Sequence, residues 1–331
     1  MDFNNRYVGL EKESTYGTTV GTSFTTGEVD DESIRHQYEL LTRDDMSRYG
    51  AAKSVTGKEY TEGDINLAML NDNFMGNILV GLFPTDTVGA ASGGLYPHTF
   101  TEAGNDVSFS MLVGREDKEH TYTGMVVNSL SVSSSLNEYA TVSASFMGQA
   151  EDIGSLANIG TATKTAFPDN LPALYFSNAK IFFNGNGTAS DAVKSISFDI
   201  NLNRDGDNAC GLGSTTYIRA PPAQRREITG TIEFNQVLHT AAVSEPTYTQ
   251  LTTEDGLELS GSGVELKVQF GDDSTADLLT FNFYKIRFEA PESNVSGRDT
   301  QTMSVGFVAL YSPDDSKMMD IVMKNSASSA Y

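Results

Sequence analysis

The sequence predicts a mainly β protein built from two copies of one β-sandwich-like, barrel-forming unit, each copy carrying a single short helix. Three observations carry this. Apolar and polar residues alternate at period 2 over several segments, those segments recur at a nearly constant spacing, and only two stretches carry a helical period. One buried face and one wet face per strand is the pattern of antiparallel sheets, not of a βαβ core.

Residues 1–28 read as an N-terminal arm, and the first unit spans 29–150. Within it Ile65, Leu67 and Met69 oppose Asp64, Asn66 and Ala68, a half-buried strand. A helix is predicted over Asp72–Phe83, where Phe74, Ile78 and Leu82 fall at i, i+4 and i+8 and Pro84 ends the run. Residues 151–174, rich in Gly, Ala, Thr and Asn and holding Pro168 and Pro172, read as a linker. The second unit spans 175–312. Its strands place Ile196, Phe198, Ile200 and Leu202 against Ser197, Asp199, Asn201 and Asn203, and Ile228, Ile232 and Phe234 against Glu227, Thr229, Thr231 and Glu233. A weaker helix is expected near Glu245–Leu251, with Ser244 as cap and Pro246 in the first turn. Residues 313–331 form a C-terminal tail with a strand at Lys317–Lys324.

The duplication rests on six matches in one order. Leu41-Thr-Arg-Asp44 recurs as Leu202-Asn-Arg-Asp205, 161 residues on, and Gly50 as Gly211 at the same spacing. Ser33-Ile34 recurs as Ser195-Ile196, and Glu62-Gly-Asp-Ile65 as Thr229-Gly-Thr-Ile232, where an insertion around Tyr217–Pro222 lengthens the spacing. Val107–Gly114 matches Val264–Gly271, and Val142–Phe146 matches Met303–Phe307.

Composition narrows the function. The 331 residues hold 22 Lys and Arg against 44 Asp and Glu, a net charge of −22, which disfavours a protein that grips nucleic acid through its phosphates. One cysteine, Cys210, excludes an internal disulfide and multi-cysteine metal sites, and no base is placed beside it. Met1–Tyr7 lacks a secretory signal, and no apolar run approaches the ~20 residues of a membrane-spanning helix.

Catalytic motifs fail on inspection. His36, His98, His120 and His239 lack metal-binding spacing. Gly50–Glu59 resembles a phosphate loop, but its spacing is wrong and Glu59 stands where Ser or Thr must bind magnesium. Asp205–Thr216 fails as a calcium loop because Cys210 replaces the turn glycine and Thr216 the bidentate Glu. Asn186-Gly-Thr and Asn294-Val-Ser fit a glycosylation pattern that is idle without secretion. No enzyme activity and no cofactor is expected. Duplicating a β unit has another use. Three copies of a two-unit chain supply six similar positions around a ring, and edge strands then continue each sheet into the neighbour.

Tyr7-Val-Gly-Leu-Glu-Lys-Glu-Ser-Thr-Tyr-Gly-Thr18, the Ser33-Ile34 segment, Gly63-Asp-Ile65, Tyr122–Leu130 and the Val305–Leu310 strand together resemble major tail tube proteins of long-tailed, non-contractile, siphovirus-like bacteriophages. The resemblance covers most of the chain. It implies a virion protein, assembled in the host cytoplasm, whose rings stack into a hollow tube that conducts double-stranded DNA into the host. It also implies contacts with a tape-measure protein and with tail terminator and distal tail proteins. A double-length chain departs from the single-unit hexamers of that family, and a trimeric pseudo-hexamer accommodates it. DNA carries one negative charge per ~1.7 Å of axis, so an acidic lumen would let it slide. The candidate lumen-lining acids are Glu62, Asp64, Asp199, Glu227 and Glu233, and the candidate inter-ring arm is Tyr16, Gly17 and Thr18. Alternatives are another ring-forming tail part, such as a terminator or baseplate protein, or a carbohydrate-binding β-sandwich. The absence of Trp counts against the latter.

Overall fold

A computed structural model describes the chain except for residues 1–5, 21–23, 45, 48, 51–52, 103, 156–172, 241–244, 254–263, 272–277 and 294–300. Among the described residues there are eighteen strands and two α-helices, with antiparallel pairing throughout.

In the first half a small sheet runs β2 (Thr25–Gly27), β1 (Tyr7–Lys12), β8 (Phe109–Arg115), β9 (Lys118–Ser135) and β11 (Ala150–Ser155). The N-terminal arm expected over 1–28 is therefore partly sheet, because the alternating Val8 and Leu10 bury their side chains in the core. The linker expected from 151 likewise begins as β11, whose residues pair with Lys118–Thr123. Pro168 and Pro172 lie outside the described residues.

A second sheet begins with β4 (Arg35–Arg43) and β3 (Asp31–Glu32) on β5 (Lys53–Ala68), then β10 (Thr141–Gly148), then the C-terminal half of β9. Strand β9 thus serves both sheets. Gly124, in the left-handed region at φ 65°, lies where it passes from one to the other.

The sheet does not stop at the end of the first half. Ser129–Ser135 of β9 pair with Asn201–Ser195 of β13 (Val193–Asn201), which pairs with β14 (Glu227–Phe234), and that with β17 (Met303–Ala309). Strand β16 (Leu278–Phe288) joins β17 by its last residues and turns back over the sheet. There it lies beside β15 (Val264–Gly271), which holds β12 (Ala179–Phe183), and β18 (Met319–Asn325). Strand β18 also pairs with β7 (Tyr96–Thr101) of the first half, next to β6 (Thr85–Val88). The strand expected at Lys317–Lys324 is thus no free tail. Its alternating Met319, Ile321 and Met323 are buried, so it closes a sheet across the two halves.

The same pairings occur twice. β4·β5, β5·β10, β10·β9, β9·β8, β8·β1 and β9·β11 have as counterparts β13·β14, β14·β17, β17·β16, β16·β15, β15·β12 and β16·β18.

Helix α1 (Asn73–Leu82) starts where the Asp72 carboxylate accepts the Met75 N–H at 2.8 Å, and ends before Pro84. Its apolar face packs on β1, β2 and β9. Burial raises the pKa of Asp72 to about 6. The second helix, α2 (Tyr248–Thr253), starts later than expected. Ser244 lies outside the described residues, and Thr247 and Gln250 bond reciprocally in its first turn. One core cluster extends through both halves, with Phe198 in edge-to-face contact with Phe281 and Phe283 at centroid distances of 5.0 and 5.3 Å.

Candidate functional site

Period-2 alternation sends every second residue of the long sheet to its wet face. The register then lines these residues up in rows that cross both halves. One row reads Asn66, Ser143, Ser131, Asp199, Thr229; the next reads Ala68, Thr141, Ser133, Ser197, Thr231, Gly306. On one side of these stand Asp64, Ser145, Ser129, Asn201 and Glu227, and on the other Ser135, Ser195, Glu233 and Ser304.

All five candidate acids reach this face. Asp64, Asp199 and Glu227 are exposed; Glu233 and Glu62 are half-buried. Glu62 accepts a hydrogen bond from Gln37 Nε2, and Asp199 one from Ser131 Oγ across the seam between the halves. Cations are few here. The Lys194 ammonium donates to Glu233 Oε1 at 2.7 Å, while Arg35 stands beside Glu62 at one edge and Arg287 opposite Val308 at the other. The face is therefore polar, with Asp199 in its middle rows and Asp64, Glu227 and Glu233 in the rows that flank them. The serines of β9 supply half of its centre, and their signal was in plain sight as Ser129-x-Ser131-x-Ser133-x-Ser135.

Tyr16, Gly17 and Thr18 sit elsewhere, in a turn fastened to its own chain. The buried Glu13 carboxylate accepts from the backbone N–H groups of Gly17 (2.9 Å) and Gly124 (2.8 Å) and from the Ser108 and Ser110 hydroxyls. Gly17 is at φ 71°, and a Cβ there would lie 2.0 Å from Gln149 Oε1. The Tyr16 ring covers Gly124, and burial pushes its phenol pKa up. Only Thr18 is exposed. Sequence reasoning missed Glu13 as the anchor, since nothing in a single carboxylate announces four convergent donors.

Among the described residues no group of three or more His, Cys, Asp or Glu could hold a metal ion, and no helix is long and apolar enough to cross a membrane. A search of curated proteins returns no match. The profile of the family described as phage tail tube protein matches residues 4–309, which takes in both halves and the whole polar face. With that match over most of its length, the chain belongs to the phage tail tube protein family, the structural proteins of the virion tail.

Proposed function

We propose that this chain arose by tandem duplication, and that three copies form a pseudo-hexameric ring whose polar face lines the channel of a siphovirus-like tail tube. Stacked rings then make a hollow conduit through which double-stranded DNA passes into the host. The observation that carries this reading is the polar face itself. It continues across the boundary between the halves through the β9·β13 seam, with Asp199 at the seam and the other acids in the rows on either side. A wall of short hydroxyl side chains and carboxylates, with Lys194 held by Glu233 and Arg35 beside Glu62, offers the DNA backbone few cations to bind.

The internal seam also supplies a pattern for closing the ring. Strand β13 is covered on one side by β14 and on the other by β9. Among the described residues its counterpart β4 pairs with β5 alone, and Tyr38, Leu40 and Leu41 lie exposed along it. The counterpart of the C-terminal part of β9 is the segment from Ile286 onward, held on one side by β17. Joining β4 of one copy to that segment of the next repeats the β9·β13 seam and removes the open edges. Tape-measure, terminator and distal tail proteins would meet the completed tube, and assembly would take place in the host cytoplasm.

Negative-stain electron microscopy across a concentration series, with and without virion tails as seeds, tests this reading. Hollow tubes of constant diameter with three-fold rings are expected. Rings that never elongate would move the protein to a terminator or baseplate role, and monomers under every condition would overturn the tube.

A further inference from the structure

The two halves differ on the outer sheet, whose wet side faces away from the long polar face. There β12 lies on β15 as β1 lies on β8, so Lys180, Lys267 and Gln269 stand where the first half has Gly9, Ser110 and Leu112. The Glu13 N–H donates to Ser108 O at 2.8 Å and the Asn184 N–H to Glu265 O at 2.9 Å, which carries the same correspondence to the strand ends.

In the first half the chain after Glu13 covers this side of the sheet. The Val20 N–H donates to Ser110 Oγ at 3.1 Å, the Tyr16 ring lies on Gly124, and Phe24 lies against Gly9 and clusters with Tyr7 and Leu112. The Glu13 carboxylate rests on Ser108 and Ser110 beneath that cover. In the second half the chain turns back at once through Asn184 and Gly185, both in the left-handed region, and the Ser190 N–H reaches Ile181 O at 2.8 Å. What the cover would occupy is a groove of about 610 Å³, lined by Lys180, Phe182, Lys267, Gln269, Asn282 and Tyr284.

The groove is amphipathic and carries unanswered cations. The Lys267 ammonium stands 5.1 Å from the centroid of the half-buried Phe182 ring. Beside it Asp320 is already satisfied, accepting from Asn282 Nδ2 at 2.8 Å and from the Tyr284 hydroxyl and Lys317 Nζ at 2.6 Å each. Lys180 and Lys267 have no ion pair with a described residue, in a chain whose net charge is −22. Glu265, exposed at the rim, is the one acid lining the groove.

We infer that this groove docks an extended acidic segment of a partner protein, with a carboxylate between Lys180 and Lys267 and an apolar side chain on Phe182. Such a segment supplies from outside what Glu13, Tyr16 and Phe24 supply to the first half from within: an anion on the middle strand and rings above the sheet. Opposite charge selects the segment, and Phe182 gives it apolar area to bury. Placing the groove on the outer wall of a tube, once per chain, rests on the tube reading; the docking itself needs only the single chain.

The test uses the full chain and a fluorescein-labelled peptide, Asp-Glu-Tyr-Asp-Glu, with Asn-Gln-Tyr-Asn-Gln as its neutral twin, followed by fluorescence anisotropy. Saturable binding is expected, at least about tenfold tighter for the acidic peptide, and weakened about tenfold by Lys180→Glu with Lys267→Glu. Lys53→Glu with Lys118→Glu, outside the groove, should leave it unchanged. The unaltered chain gives a second readout that no folding defect can confound: carbodiimide coupling of the peptide carboxylates, mapped by mass spectrometry, is expected at Lys180 and Lys267 ahead of the other lysines. Absence of saturable binding, equal binding of the neutral twin, or coupling spread evenly over the lysines would overturn the inference. So would maltoheptaose bound in the groove in place of the peptide, which would make it a saccharide site. None of these readouts involves polymerisation. A chain that takes the peptide yet never forms tubes overturns the tube reading alone, and a chain that forms tubes yet refuses the peptide overturns this inference alone.

Discussion

The two halves follow the same pairing pattern yet furnish it differently where β4 meets β5 and β13 meets β14. In the first half the connection is a long hairpin with Tyr38, Leu40, Leu41 and Val55 in solvent. In the second it is the 202–226 loop, folded inward around Arg204 and Tyr217. The buried Arg204 guanidinium donates to Val127 O, Pro221 O and Asp106 Oδ1 at 2.7, 2.7 and 2.9 Å, and the Tyr217 ring stacks on Tyr60 of the hairpin. Burial raises the Tyr217 pKa to about 12. One pattern thus yields a surface left in solvent and a surface spent on holding the halves together.

The largest expected effect is at Arg204. Replacing it by Met leaves Asp106 and two carbonyls without their donor and should cost about 3–5 kcal/mol in urea unfolding, whereas Arg43→Met on the hairpin should stay within about 0.5 kcal/mol. Equal losses would break the distinction between the loop and the hairpin. The helices come next. The pKa of Asp72 lies above its ordinary 3.8 in the folded chain, so its contribution to stability is fully present below about pH 4 and is lost as pH rises through about 6. Asp72→Asn keeps a capping oxygen, and between pH 4 and 8 it should gain up to about 3 kcal/mol relative to the parent. A constant difference across that range would refute the assignment.

Gly63 and Gly230 occupy matching places in β5 and β14 and sharpen the comparison further. At Gly63 a Cβ would lie 2.5 Å from Ser33 O with φ at 153°, and at Gly230 it would lie 2.5 Å from the Phe307 ring. Alanine at either should cost about 1–3 kcal/mol in thermal unfolding. At Gly230 a second change, Phe307→Leu, should recover the part due to the ring but not that due to Ser197 O, which lies 2.6 Å from the Cβ, and Gly63, hemmed only by the Ser33 and Ile34 backbone, offers no such recovery. Smallest is Thr247→Ala, which removes the cap of the short helix α2 for about 1 kcal/mol.

Strand identity was largely legible in the sequence, because one wet and one buried face impose period 2 on Ile196–Leu202 and Ile228–Phe234. Helix α1 was legible too, since Asp72 and Pro84 mark its ends. The five acids share one face because alternation alone decides the side of a sheet to which a residue points. Pairing partners were less accessible. That β13 would lie on β9, or β18 on β7, is settled by contacts between residues 60 to 72 positions apart in the first case and more than 200 in the second, which local periodicity does not encode. The setting of the Tyr16 turn was out of reach of the sequence for the same reason. Its glycine signals a turn, but its direction is set by Glu13 and by Ser108 and Ser110, far along the chain.

The pairing of β7 with β18 has a consequence for timing. During synthesis at about 5–20 residues per second, Tyr96–Thr101 leaves the ribosome some ten seconds or more before Met319–Asn325 can reach it. Until then one margin of the first half lacks its neighbour and the protein cannot take its final shape. The arrival of β18 thus acts as a clock: β7 keeps one open edge until the growing chain has passed residue 325.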